Sequence, residues 1–230
     1  MSIVDKEFGE IKIRKNKLAR RVKISVGVDG ILRASIPYYS PEFAVKRLIN
    51  HNRAEIRQML AQHNSQNIYQ DGDLIGKTHT LFIRHFLGKE TKISVDGNQI
   101  LVQVPECLTF GDSLVQAEIR KVVVKILRKQ AKAYLSRRID FLAEKYDFEF
   151  RKLRFSHTST RWGSCSSSGT ISLNIVLMNL PHHLIDYVII HELCHTRQMN
   201  HSQKFWAEVE KYCPNYKKYV QEMKNFSPSI

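Results

Sequence analysis

Cysteine is scarce in this 230-residue sequence, which has four cysteines and no Cys-x-x-Cys pair. Small disulfide-stapled folds and four-thiolate zinc knuckles are thereby excluded. Glycine and proline are also sparse, at 10 and 6 residues, which excludes collagen-like and low-complexity chains. Free thiols in a reducing compartment are the simplest interpretation of the cysteines.

Long apolar runs are missing as well. None reaches ten residues, whereas a membrane-spanning helix needs about 20. The first ten residues include acidic side chains where a secretory signal peptide has its apolar stretch. We therefore expect a cytoplasmic protein that does not associate with a membrane.

Acidic residues are outnumbered, with 22 Asp and Glu against 36 Lys and Arg, so the formal net charge is +14. An excess of this size attracts polyanions such as nucleotides, nucleic acid or acidic proteins. A solvated basic surface is the simpler interpretation, and a polyanionic partner is the alternative.

The order of predicted elements favours an α+β fold over a doubly wound sheet. Alternating apolar residues over 11–37 predict strands, with a hairpin turn at Asp29-Gly30. The sequence Ser40-Pro41-Glu42 then begins a helix that reaches about Gln62. Short strand-like runs follow, up to Val104.

A long helix is predicted after Asp112, because apolar residues recur there at three- and four-residue spacing. The opposite face of this helix is basic and consists of Arg120, Lys121, Lys125, Arg128, Lys129 and Lys132. Such a face could contact phosphates, although a solvated surface is again the simpler interpretation.

The C-terminal part is predicted to hold a pair of strands followed by helices. The strands are 152–160 and 170–176, on either side of the turn-forming segment 166–169. A helix capped by Asn179 follows, and Ser202 begins the next one.

The most specific motif is His191-Glu192-Leu193-Cys194-His195. Histidines at i and i+4 lie one turn apart on the same helix face, so both can reach one zinc ion at roughly 2.0–2.1 Å. Glu192 lies near that face and is placed to act as a general base on metal-bound water. A pair of buried, hydrogen-bonded histidines is the structural alternative.

A catalytic zinc site keeps one position open and needs a third protein ligand. We favour His201, since Asn200 tolerates the left-handed conformation that ends helices and would let the chain turn back. Glu208 or Glu210 on the following helix is the alternative. Other divalent ions also bind histidine-rich sites, so the motif alone does not specify zinc.

The C-terminal block resembles the YgjP-like metallopeptidase domain, a zincin-like family that is more distantly similar to the SprT-like proteases. The matching segments are 161–165, 171–174, Pro181, 186–188, 191–195, 200–202 and 205–206, and more loosely Arg20-Arg21, Asp29-Gly30, Ile36-Pro37 and Gly76-Lys77. The resemblance covers about residues 11–220. It implies three histidine ligands, His191, His195 and His201, with Glu192 as catalytic base.

The same resemblance suggests how the chain is organised. We predict a β-rich N-terminal region with one helix at 1–110 and a zincin-like catalytic region at 111–230, packed together as one unit. In the second region a β-hairpin or small sheet would lie against the metal-binding helix.

Three residues near the predicted hairpin are candidates for contact with substrate. Arg161 could neutralise an oxyanion or bind a carboxylate or phosphate, and Trp162 could form a cleft wall. Asn174 could donate a hydrogen bond to substrate or orient a ligand. The structural alternatives are a paired arginine, a core tryptophan and a turn-stabilising asparagine.

These features predict a metal-dependent hydrolase, most simply a zinc metallopeptidase with a peptide or protein substrate. A nucleotide or phosphoester hydrolase is an alternative, because the same water could attack phosphorus. A nucleic-acid-associated protease of the SprT-like kind is another. A purely structural zinc site would leave Glu192 without a role.

Overall fold

The structure is a computed structural model. It describes residues 2–27, 32–41, 43–66 and 68–230. The predicted hairpin turn at Asp29-Gly30 and Glu42 of the predicted helix start lie outside these residues. The chain divides into two compact units, Met1–Ile68 and Tyr69–Ile230.

Strands and helices are mixed along the chain, and the predicted α+β fold is confirmed. The strands are β1 (Ser2–Asp5), β2 (Gly9–Asn16), β3 (Lys23–Val26), β4 (Leu32–Pro37), β5 (Leu74–Ile75), β6 (His79–Phe86), β7 (Lys92–Asp96), β8 (Gln99–Pro105), β9 (Lys152–Ser156), β10 (Gly163–Cys165) and β11 (Thr170–Asn174). The helices are α1 (Phe43–His51), α2 (Arg53–Gln66), α3 (Ser113–Lys145), α4 (His182–Cys194), α5 (Gln203–Tyr212) and α6 (Tyr216–Glu222). Short 3₁₀ helices lie at Ile175–Asn179 and Met223–Asn225.

The first unit is a four-stranded sheet, in the order β1-β2-β4-β3, with two helices. Alternation along β2 and β4 buries one face of the sheet, and Val45, Ile49 and Ile56 of the helices belong to the same hydrophobic cluster. Two helices stand where one was predicted, because the chain bends at Asn52. Its side chain donates to the carbonyl of Leu48 at 3.0 Å, a local bond that competes with a continuous helix.

The second unit begins with another four-stranded sheet, in the order β5-β6-β8-β7. Its central strands, β6 and β8, are parallel, and the two outer pairs are antiparallel. Strands β1 to β4 pair in the same order and the same directions. The topology is therefore repeated, although the sequence shows no internal repeat.

Helix α3 has 33 residues and a buried stripe along its length. Its buried residues share one hydrophobic cluster with those of β6, β8, β11 and α4. The sheet β5–β8 thus belongs with α3, and the compact units separate at 68/69 rather than at the predicted 110/111. In the part of the chain that the structure describes, no helix is both long enough and apolar enough to cross a bilayer.

A third, three-stranded sheet lies in the order β10-β11-β9. Strand β11 pairs in parallel with β9 and antiparallel with β10. A hairpin was predicted between 152–160 and 170–176, and this prediction is wrong. The strand that pairs antiparallel with β11 is the short β10. Helix α4 contacts both β10 and β11, so the predicted sheet against this helix is present.

Gly76, in the turn between β5 and β6, has φ +66°, and an added Cβ would collide with Gln130 and Leu127 of α3. We expect Gly76→Ala to lower the free energy of unfolding by about 2–4 kcal/mol, because backbone strain and overlap act together.

The matched control is Gly72→Ala, since Gly72 has φ +88° but nothing within 4 Å of an added Cβ. It should cost only about 1 kcal/mol, the strain alone. Urea unfolding followed by circular dichroism measures both variants. Equal losses would show that the contact with α3 does not contribute.

Candidate metal centre

Helix α4 carries the His-Glu-x-x-His motif at its C-terminal end. Apolar residues are buried on most sides of this helix, so it runs through the core of the second unit. It begins after Pro181, and the predicted cap Asn179 instead accepts a hydrogen bond from the amide of Gly76 at 3.0 Å. A bidentate ion pair joins α4 to α3, because Arg138 Nε and Nη2 each lie 2.6 Å from a carboxylate oxygen of Asp186.

The structure brings His191, His195 and His201 together. One ligand nitrogen from each ring lies within 4.8 Å of the others, and Nε2 of His191 is 3.1 Å from Nε2 of His201. Two nitrogens that bind one zinc ion at about 2.0–2.1 Å in a tetrahedral arrangement lie roughly 3.3 Å apart. The distance between His191 and His201 is close to that value, and the third nitrogen lies near enough for the three rings to share one ion.

The protonation of the rings also fits a metal site. Burial lowers the pKa of His191 to about 3, with a further contribution from the two neighbouring histidines. Burial also lowers the pKa of His195, whose Nδ1 lies 3.0 Å from the carbonyl of Gln198. With Nδ1 donating there, Nε2 of His195 carries the free lone pair. Both rings are therefore neutral near pH 7 and can act as ligands.

The turn between α4 and α5 places His201. Ser202 caps α5, as predicted, and its hydroxyl accepts from the amide of Phe205. The left-handed conformation predicted for Asn200 is wrong, since among the described residues Asp147 is the one non-glycine with positive φ. A tight turn replaces it, in which the amide of Ser202 donates to the carbonyl of Asn200 at 2.7 Å.

Phe205 forms an apolar support for all three histidines. It is fully buried, and its ring stacks on His195 with centroids 4.4 Å apart. The rings of His191 and His201 meet it edge-on at 4.9 and 4.8 Å. The sequence predicts a helix after Ser202, but it gives no sign that Phe205 contacts the ligands.

The alternative third ligands have other partners. Glu208 accepts from Arg197 at 2.7 Å, and Glu210 lies 3.5 Å from the Lys217 ammonium. Within the described ranges, the three histidines are the one group of His, Cys, Asp and Glu side chains arranged to hold a metal ion. The geometry therefore favours His201 over either glutamate.

Glu192 is buried beside the histidines, with 5% of its surface exposed. Its Oε2 has no hydrogen-bond partner among the described residues. Burial raises the pKa of Glu192 to about 8, against the opposing effect of the Arg161 charge. Gly163 of β10 lies against this carboxyl group, because an added Cβ would come within 2.6 Å of Glu192 Oε1. The sequence placed Gly163 in a motif without showing this contact.

A cleft of about 240 Å³ opens beside His191 and Glu192. Its lining residues are mostly apolar and consist of Trp162, Gly163, Tyr187, Val188, His191, Glu192, Val220 and Met223. Trp162 is one of the residues in this wall. Val220 and Met223 come from the C-terminal helices, and no sequence signal linked them to the motif.

The remaining two candidates lie just outside the cleft. The Arg161 side chain is exposed, and its charge acts on Glu192. Asn174 is fully buried, and its Nδ2 donates to the carbonyls of Thr158 at 2.7 Å and Arg161 at 2.9 Å. Its Oδ1 accepts from the amide of Val176. The amide of Asn174 therefore supports the neighbouring backbone and is not a donor facing the cleft.

Removing one ring should abolish the metal site. We expect His201→Ala to weaken divalent metal binding by more than about a hundredfold, because two ligands remain where the ion needs three. The matched control is His183→Ala, since His183 hydrogen-bonds Glu222 outside the cluster. Metal content by mass spectrometry and competition with a chelator measure both. An unchanged affinity in His201→Ala would exclude this histidine as a ligand.

Two solved structures resemble parts of this chain, and one family of known proteins matches most of it. The crystal structure of the metallopeptidase zymogen of Pyrococcus abyssi abylysin is 26% identical and covers 40% of this chain and 93% of its own, with a TM-score of 0.36. That of Methanocaldococcus jannaschii jannalysin is 23% identical and covers 38% and 95%, with a TM-score of 0.33. A comparison with curated proteins returned no match. Residues 20–226 match the YgjP-like metallopeptidase domain, and the chain belongs to this family.

Proposed function

We propose that this chain is a zinc metallopeptidase in which His191, His195 and His201 hold the ion and Glu192 is the general base. The observation that carries the proposal is the convergence of three imidazoles beside a buried carboxyl group that has a free oxygen. A zinc ion held there would act as a Lewis acid on the substrate carbonyl and lower the pKa of a bound water.

Glu192 would move the proton. In its ionised form, the carboxylate takes a proton from the attacking water and then returns it to the leaving amine. The free Oε2 supports this role, because the acceptor oxygen has no competing donor among the described residues. Contact with Gly163 fixes the carboxyl group in one position, which a general base requires.

Arg161 is our proposed stabiliser of the oxyanion. Its charge already acts on Glu192, so the guanidinium lies within electrostatic range of the reacting groups. Its exposure leaves the side chain able to move towards a bound substrate. Asn174 would contribute indirectly, by holding the carbonyl of Arg161.

A peptide is the substrate that the surroundings of the site support best. Strand β10 is at the edge of its sheet, so an extended peptide could pair with it and lie along the cleft. The residues that line the cleft in the described chain are mostly apolar, which suits the side chains of a peptide better than the phosphates of a nucleotide.

A cytoplasmic location remains part of this proposal. The four cysteines are free, and burial raises the pKa of Cys194 to about 12, so that thiol is unreactive at neutral pH. Free cysteines are typical of a protein in a reducing compartment.

Loss of the general base should separate turnover from metal binding. We expect Glu192→Gln to lower kcat for a peptide substrate by at least about a thousandfold, with zinc content unchanged. The matched control is Glu210→Gln, which changes an exposed carboxylate on α5 and should keep full activity. A fluorogenic peptide library assayed with added zinc measures both. Retained activity in Glu192→Gln would exclude this residue as the base.

Displacing the general base should have a similar, smaller effect. In Gly163→Ala the new methyl group would push Glu192 from its position, and we expect kcat to fall about a hundredfold while KM and zinc content stay unchanged. Gly111→Ala is the matched control, because an added Cβ there meets nothing within 4 Å. An unaltered kcat in Gly163→Ala would show that this contact does not position the base.

A further inference from the structure

The first unit contains a strongly basic segment that the proposed peptidase does not use. Residues 11–27 include seven Lys and Arg and no Asp or Glu, and the Arg20-Arg21 pair lies within them. Residues 32–41 also contain no acidic residue.

The topology of the first sheet gathers this charge at one end. Strands β2 and β4 are parallel, and their last residues, Asn16 and Pro37, are register partners. Lys17 and Tyr38 follow these strands, and the Lys17 ammonium lies 5.8 Å from the centre of the Tyr38 ring. Strand β3 is antiparallel to β4 and begins at this end of the sheet. The residues just before β3, Arg20 and Arg21 among them, therefore lie at the same end. We call this end the basic corner, and it consists of Lys15, Lys17, Arg20, Arg21, Lys23, Tyr38 and Tyr39.

Among the described residues, no acidic side chain compensates the basic corner. Asp5 and Glu7 of the same unit pair with Arg53 and Arg57 of α2, at 2.5–2.9 Å. None of the five cations of the corner forms an ion pair with a described residue. Their mutual repulsion is unfavourable for folding, which is a reason to look for an anionic ligand.

The second sheet provides an internal comparison, because it has the same topology. Its corresponding end is marked by the register pair Phe86 and Pro105. The segments that follow these residues, 87–91 and 106–112, contain one lysine and three acidic residues. The topology itself therefore does not require cations at this end of the sheet.

Exposed aromatic rings accompany the charge. The exposed fraction of Tyr39 is 94%, that of Tyr38 is 48% and that of Phe43 is 66%. A groove of about 620 Å³ begins at Val22, between Arg21 and Lys23, and contains Phe43 and Arg47. Proteins bind single-stranded nucleic acid through cationic side chains along its phosphate backbone and through aromatic rings on which its bases stack.

We propose that the basic corner and the adjoining groove bind a single-stranded polynucleotide. Phosphates would contact Lys17, Arg20 and Arg21, and unstacked bases would lie on Tyr38, Tyr39 and Phe43. A duplex offers phosphates but no free base faces, so the exposed rings favour a single strand.

Fluorescence anisotropy with labelled oligo-dT and oligo-U of about 12 nucleotides tests the proposal. The triple variant Lys17→Gln, Arg20→Gln, Arg21→Gln should bind at least tenfold more weakly at low salt. The slope of log affinity against log salt should fall by about 2, since each phosphate contact on a single strand contributes about 0.7. Binding of either the DNA or the RNA strand supports the proposal.

The control variant removes the same three charges from α3, as Lys121→Gln, Lys125→Gln, Arg128→Gln, and should lose less than about threefold. Equal weakening by both triple variants would overturn the proposal, because net charge alone would then explain binding. Urea unfolding and peptidase activity, both expected to be unchanged, check that the exposed substitutions leave the fold intact.

The aromatic contribution is tested separately. Tyr39→Ala should weaken binding about tenfold, and Tyr39→Phe, which keeps the ring, should restore it. Vesicles containing phosphatidylserine and a DNA duplex serve as competing anions. Failure to bind either oligonucleotide at low salt, tighter binding of the duplex, or tighter binding of the vesicles would each overturn the proposal.

Discussion

The burial of Glu192 and His191 at the end of α4 is the constraint on which the candidate site depends. Burying a carboxyl group and an imidazole without full hydrogen bonding is unfavourable, and both side chains keep an unpartnered buried atom among the described residues. Their pKa values shift towards the neutral forms for the same reason. A cation held by the three imidazoles would carry a water that can donate to the free oxygen of Glu192, so metal binding and the stability of this region should be coupled.

The rest of the second unit fixes that arrangement. Phe205 supports the imidazole rings from α5, and Gly163 brings the backbone of β10 against the carboxyl group. The ion pair of Arg138 and Asp186 joins α4 to the long helix α3. Each contact comes from a different element, so the geometry of the site follows from the packing of the whole unit.

Local patterns predicted part of this site. The i, i+4 spacing placed His191 and His195 on one helix face, and the cap at Ser202 placed His201 at the start of α5, although the turn at Asn200 is not left-handed. The sequence does not predict strand β10, because three residues are too few to show the alternation of apolar and polar residues that indicates a strand.

Long-range contacts could not be read from the sequence. Val220 and Met223 reach the cleft only through the packing of α6 and the helix after it. The hydrogen bonds of Asn174 to two backbone carbonyls depend on a loop whose path no pattern specifies. The repeated sheet topology was hidden for a related reason, since strand order depends on pairing between distant segments.

X-ray absorption at the zinc edge of the purified protein tests the central claim most directly. The account predicts a shell of three imidazole nitrogens and one water oxygen at about 2.0–2.1 Å, with no sulfur. A closed shell of four protein ligands, or sulfur at about 2.3 Å, would contradict it.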